Sequence, residues 1–209
     1  MCYAPAPMIG AARGPAGKRS AVGREVRAIR ARAERKGYRS VRREFHLGDV
    51  LLFRGRGLSS QAVRLFTRSP YSHVGLVFPY QERVYCVEAV GVGVRLILMS
   101  EVMRRYHGGI DYYEVPRAAT EQRNGAISFC FQQLGKLYDR PGIFRLVVAV
   151  LLNRKPAVRE DQAWFCSELV AAAYRSQGLP LVPVSAAYTS PADLAVSAEL
   201  KLRYVLKRE

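Results

Sequence analysis

Cys166 heads the segment "CSELVAAAYRSQG" (166–178), directly after Trp164 and Phe165, where an extended aromatic end turns into a helix. At a helix start the unpaired backbone N–H groups and the macrodipole stabilise a thiolate. A nucleophilic thiol is therefore one reading of this position, and a small buried hydrophobe is the other. A nucleophilic thiol needs a base that takes a proton and returns it. Among His46, His73 and His107, only His73 opens a strand pattern, "SHVGLVF" (72–78), which would fix it on a rigid element. His46 reads as a loop residue, and His107, beside two glycines, as a surface turn. The following run, "RVYCVEAV" (83–90), carries Glu88 among apolar residues, an odd place for a charge. Strand alternation puts Tyr85, Val87 and Ala89 on one side and Cys86, Glu88 and Val90 on the other. If the two runs pair as a hairpin, Glu88 reaches the ring nitrogen of His73 that does not face the thiol and fixes its tautomer. The chemistry of such a trio is acyl transfer: thiolate attack on an amide or ester carbonyl, with helix-start N–H groups holding the oxyanion. The same three residues also fit a core cysteine and a histidine whose partners are merely structural.

The rest of the composition narrows the function classes. A chain of 209 residues with 49% hydrophobic content can bury a sizeable core. Its formal charge is +16, and residues 1–45 carry 12 basic against 3 acidic side chains. That asymmetry fits first a solvated basic helix packed on the domain, and second a nonspecific anionic partner bound through residues 13–43, with nucleic acid, anionic lipid and acidic polymers as the classes open to it. No Gly-rich phosphate cradle, zinc finger or RNA-binding aromatic signature supports base reading, so nucleic-acid contact would be nonspecific and salt-sensitive. The four cysteines, Cys2, Cys86, Cys130 and Cys166, form no CxxC pair. No metal and no cofactor is expected. Cys86 and Cys130 sit in apolar patterns and read as small hydrophobes. The first twenty residues lack the apolar core of a secretory signal, which predicts a cytoplasmic or particle-associated protein with free thiols. The longest apolar run, Ile143–Leu152, is interrupted by Arg145 and is too short to cross a bilayer.

These residues need elements to hold them. Residues 1 to about 20 are rich in Ala, Pro and Gly and read as a flexible arm. Residues 22–45 read as one basic helix, with Val26, Ile29 and Ala33 on a narrow apolar stripe. Strands are predicted over 48–55, 72–78, 83–90, 92–99 and 110–115, from β-branched and aromatic runs broken by Gly, Pro and polar pairs. Helices are predicted over 59–68, 120–135 and 166–178, the last closed by Gly178, with a short one at "SPADLA" capped by Ser190. Strands in one block with helices to either side give an α+β fold, an antiparallel sheet or partial barrel packed with helices. The expected organisation is a basic arm and helix over 1–45 and one domain over 46–209.

"GDVLLFRG", "SHVGLVF", "VYCVEAV", "LGKLYDRPG" and "FCSELVAAAY", followed by "SPADLA", resemble in order the permuted papain-like amidases of the YaeF/YiiX group. This group is a circularly permuted branch of the NlpC-type cysteine hydrolases, related also to lecithin:retinol acyltransferases. The likeness runs over about residues 46–196, and its most specific part is order: the histidine strand precedes the cysteine helix. The resemblance implies a papain-like, circularly permuted fold, with Cys166 as nucleophile, His73 as base and Glu88 as the polar third member. It implies a role for Tyr138 on the oxyanion side of the site and a less defined one for Asp139. Read without it, Tyr138 is an amphipathic tyrosine at a sheet edge and Asp139 a turn residue before Arg140 and Pro141. The insertion between Tyr138 and Cys166, with the apolar run 143–152, fits three roles: a flap receiving an acyl chain, a peripheral membrane contact, or a core helix.

The function that follows is a cysteine amidase or hydrolase cleaving an amide or ester bond through a thioester acyl-enzyme. Its substrate classes are a cell-wall peptide and a lipid or N-acyl compound, and an amine or alcohol acceptor would make the same site an acyltransferase. The alternative is a catalytically dispensable scaffold or assembly component, for instance of a virus particle, docked through its basic arm.

Overall fold

The computed structural model describes residues 15–56, 60, 61, 64, 69–138 and 163–208. In chain order the elements are α1 (Pro15–Arg32), β1 (Glu34–Gly37), α2 (Tyr38–Val41), β2 (Val50–Gly55), β3 (His73–Tyr80), β4 (Arg83–Val90), β5 (Gly93–Leu98) and α3 (Met99–Arg105). They continue as β6 (Gly108–Glu114), α4 (Thr120–Gln132), β7 (Leu137–Tyr138), β8 (Ala163–Trp164), α5 (Cys166–Arg175), α6 (Pro191–Ala195) and β9 (Lys201–Lys207). Seven strands form one sheet in the order β1-β9-β6-β2-β3-β4-β5, and β7 pairs with β8. The sheet is not closed into a barrel. All its pairings are antiparallel except β1 with β9, which is parallel.

Strand alternation sorts the apolar side chains into two cores, one on each face of the sheet. Val50, Leu52, Val74, Leu76, Val87 and Ala89 pack with α4 and α5 through Ile127, Cys130, Leu169, Val170 and Ala173. Leu51, Phe53, Val77, Cys86, Tyr112 and Leu206 face the other way, against Tyr38 and Val41 of α2 and Met99 and Val102 of α3. Each fully buried Leu or Val contributes about 2 kcal/mol, so α5 is held mainly by its inner face. It also carries a specific anchor: the Tyr174 hydroxyl donates to the carbonyl of Gly48 at 2.7 Å. Gly48 has φ +78°, and a Cβ there would sit 2.5 Å from that hydroxyl, so the position excludes a side chain on two grounds.

The basic helix expected over 22–45 is shorter at its C-terminus than its composition suggests. It starts earlier, at Pro15, inside the stretch read as an arm, and ends at Arg32. Beyond Ala33 the apolar stripe has no successor, because the next inward positions are Lys36 and Gly37. The chain instead pairs Glu34–Gly37 with Tyr204–Lys207 at the sheet edge. Val26 belongs to one core and Tyr38 and Val41 to the other. The segment must therefore cross the sheet edge, which an unbroken helix could not do. Arg30, near the end of α1, pairs with the fully buried Asp111 of β6, which also accepts from the Tyr71 hydroxyl at 2.5 Å. Of the helix expected over 59–68, residues 60, 61 and 64 are described and helical. Asp139 and the apolar run 143–152 lie outside the described residues. No helix among the described residues is long and apolar enough to cross a membrane.

Candidate active site

Cys166 is the first residue of α5, 93% buried, behind Phe165 in extended backbone (φ −82°, ψ 153°). The short β8 leads into it, and the helix start is fixed from a second side. Ser167 donates its hydroxyl to the Thr189 carbonyl at 2.6 Å. Thr189 is held in turn by the start of α6, where Ser190 N–H donates to Asp193 Oδ2 at 2.8 Å and the Ser190 hydroxyl accepts from Asp193 N–H at 3.3 Å. The "SPADLA" segment thus closes a small helix and supports the carbonyl that clamps the residue beside the cysteine. At a helix start such as that of α5 the first backbone N–H groups have no preceding carbonyl of the same helix to bond.

His73 is the first residue of β3, and its Nε2 lies 2.7 Å from Oε2 of Glu88 on β4. The register explains the contact. Glu88 pairs with Gly75, so His73 is its diagonal neighbour on the same face, within reach of two long side chains. Gly75 keeps that face open: a Cβ there would lie 2.5 Å from Cys86 Sγ and 3.4 Å from Glu88 Cβ. The Phe53 ring, opposite His73 in the register with β2, stands 5.0 Å from the imidazole, and Tyr106 packs edge-on against Phe53 at 5.1 Å. Nε2 is engaged by Glu88, and Cys166 is the other side chain whose charge and hydrogen bonding act on the ring. Cys166 and Glu88 thus both act on His73. Arg95 in turn donates from Nε and Nη2 to Glu88 Oε1 at 2.9 and 2.6 Å.

The electrostatics follow from these partners. Burial opposes the charged form of His73, but the charge and hydrogen bond of Cys166, and then those of Glu88, outweigh it and raise the ring to about 10. Burial pushes the Glu88 carboxyl up, yet His73 and Arg95 together hold it below its ordinary value. Both groups therefore carry charge at neutral pH. The other described cysteines differ: burial pushes the Cys86 thiol well up and the Cys130 thiol up to about 12. A buried imidazolium between a carboxylate and the sulfur at a helix start is placed to carry the proton that the sulfur gives up and to hand it on.

Residues 44–189 match the family described as permuted papain-like amidase enzymes, YaeF/YiiX, C92 family. The chain belongs to this family. A curated relative in the family, the probable lipoprotein peptidase YaeF of Escherichia coli (strain K12), is 24% identical over 192 residues, covering 76% of this chain and 69% of its own. The crystal structure described as metalloprotein yiiX from Escherichia coli O157:H7 aligns with a TM-score of 0.60 at 20% identity, over 79% of this chain and 98% of that one. That likeness shows the α+β fold. The word metalloprotein describes that protein; among the described residues here, no three His, Cys, Asp or Glu side chains gather as metal ligands.

Of the other family positions singled out by sequence, Tyr138 lies in β7, whose register pairs it with Trp164, two residues before Cys166. Asp139 follows it, outside the described residues. His46 is exposed near Asp49 at 3.5 Å, with no link to the thiol. Arg95 and Phe53 are the site residues that sequence reasoning missed. Arg95 was within reach of a count: the hairpin joining β4 and β5 pairs Val90 with Gly93, which sets Arg95 opposite Glu88. Phe53 had no comparable signal, being one apolar residue in an apolar strand.

Proposed function

We propose that this family member is a cysteine amidase or peptidase in which Cys166 is the nucleophile, His73 the general base and acid, and Glu88 the residue that orients His73. The observation that carries the reading is the 2.7 Å contact of His73 Nε2 with Glu88, together with the influence of Cys166 on the same ring. The proton that the Cys166 thiol gives up is carried by His73, whose ring is protonated at neutral pH. The thiolate sulfur attacks the carbonyl carbon of an amide or ester, and first-turn N–H groups of α5 bind the oxyanion. The carbon–nitrogen or carbon–oxygen bond breaks as His73 returns the proton to the leaving group, leaving a thioester on Cys166. Water, its proton drawn by His73, hydrolyses the thioester; an amine or alcohol acceptor in its place would give acyl transfer.

The name of the curated relative, a probable lipoprotein peptidase, puts a peptide or acylated peptide first among substrates. The test is turnover of peptidoglycan fragments and of N-acyl amines by the wild type and by Cys166→Ala, with intact-mass detection of an acyl adduct on Cys166. Hydrolysis of either class with a Cys166 adduct, lost in Cys166→Ala, is the expected result. Equal turnover by the variant would remove Cys166 from the nucleophile's role, and a Cys166→Ser protein that retains its full biological role would favour a scaffold whose basic N-terminal segment docks to an anionic partner.

A further inference from the structure

We propose that Arg95 is a positioning residue of this site, gripping one oxygen of Glu88 so that the other is presented to His73. The inference rests on the reading of Cys166, His73 and Glu88 given above. Glu88 is nearly fully buried, and its two oxygens are divided between two partners: Oε1 accepts from Nε and Nη2 of Arg95, Oε2 contacts His73. A carboxylate held at one oxygen by two donors cannot rotate about its last bond without breaking both. Its second oxygen therefore has a fixed direction, and the imidazole inherits it. Arg95 reaches this position from the neighbouring strand β5 as the direct cross-strand partner of Glu88, while 44% of its side chain remains exposed.

The same geometry gives Arg95 a second effect. The groups facing Glu88 are His73 from β3, Arg95 from β5, Cys86 on its own strand and Tyr106 after α3, with Cys166 beyond His73. Burial keeps the Cys86 thiol and the Tyr106 hydroxyl neutral across the working range, with Tyr106 raised to about 12. Arg95 is thus the fixed cation and His73 the titrating one. Two cations share one carboxylate, so Arg95 tempers the hold of Glu88 on the imidazolium and eases return of its proton to a leaving group.

The test is NMR titration of ring-labelled histidine, practicable because the chain has 3 histidines, with the exchange-protected Nε2–H signal of His73 followed alongside. In Arg95→Ala the His73 titration moves upward by about half a pH unit or more, and the Nε2–H signal weakens. Arg95→Gln, which keeps the chain length, gives the same upward shift and carries the test if the alanine variant does not fold. Arg95→Lys keeps the charge without the two-nitrogen grip, so it leaves the titration in place while the Nε2–H signal weakens. An unchanged titration and an unchanged Nε2–H signal in both Arg95→Ala and Arg95→Gln overturn the proposal. Failure of the underlying reading looks different: Glu88→Gln would then leave the His73 signals as they are, and His73→Ala would leave Cys166 alkylation at the wild-type rate.

Discussion

His73 and Glu88 are diagonal neighbours across the β3–β4 pair, and their side chains meet at 2.7 Å where Gly75 leaves the strand face open. This contact engages Nε2 of the ring on which Cys166 also acts. Replacing Glu88 by Gln keeps the shape and removes the charge that steadies the imidazolium. Turnover should fall by about two orders of magnitude or more, with KM little changed, as read from initial rates on whichever acyl substrate the enzyme accepts.

The raised His73 ring makes stability depend on pH in a defined direction. Its folded-state value, about 10, lies above the ordinary 6.5, so folding favours the protonated ring. That contribution is full below about pH 6.5, declines across the interval and is gone above about pH 10. Urea unfolding of the wild type and His73→Gln at several pH values should show a gap that narrows as pH rises. A gap that widens would reverse the assignment.

Burial separates the thiols. In a Cys2→Ser background the folded protein should alkylate at Cys166 well ahead of Cys86 and Cys130, whose thiols burial holds protonated. Denaturant should expose all three equally. Peptide mapping after timed iodoacetamide treatment reads the order directly.

The link between α1 and the sheet carries stability rather than chemistry. Arg30→Ala strips the fully buried Asp111 of its charged partner in the first helix, leaving the Tyr71 hydroxyl and Arg54 at 3.7 Å. The expected loss is about 3 kcal/mol, measured by urea unfolding, with the alkylation rate of Cys166 in the folded protein unchanged.

The strands at the centre of the sheet were legible because their side chains speak for both faces: β2, β3 and β4 are β-branched and aromatic runs cut by glycine and polar turns. β9 carried a signal too, the alternation of Leu202, Tyr204 and Leu206, but it lies far along the chain from the other strands. β1 had none. Glu34, Arg35 and Lys36 form a strand only because the edge of β9 offers them backbone partners. α3 was hidden because Met99 continues the apolar run of β5, although the chain turns there into a helix over the second core. At the proposed site, Cys166, His73 and Glu88 stand out in the sequence as types in unusual places: a thiol at a helix start, a histidine at a strand start, an acid in an apolar strand. Arg95 does not, because an arginine on an edge strand looks ordinary until the hairpin register sets it against a buried carboxylate.

The most direct test of the central claim is the alkylation rate of Cys166 at pH 7 in wild-type and His73→Ala proteins, both carrying Cys2→Ser. Pairing of the two residues predicts selective modification of Cys166 in the wild type and a rate at least about tenfold lower without the imidazole. Equal rates in the two folded proteins would contradict it.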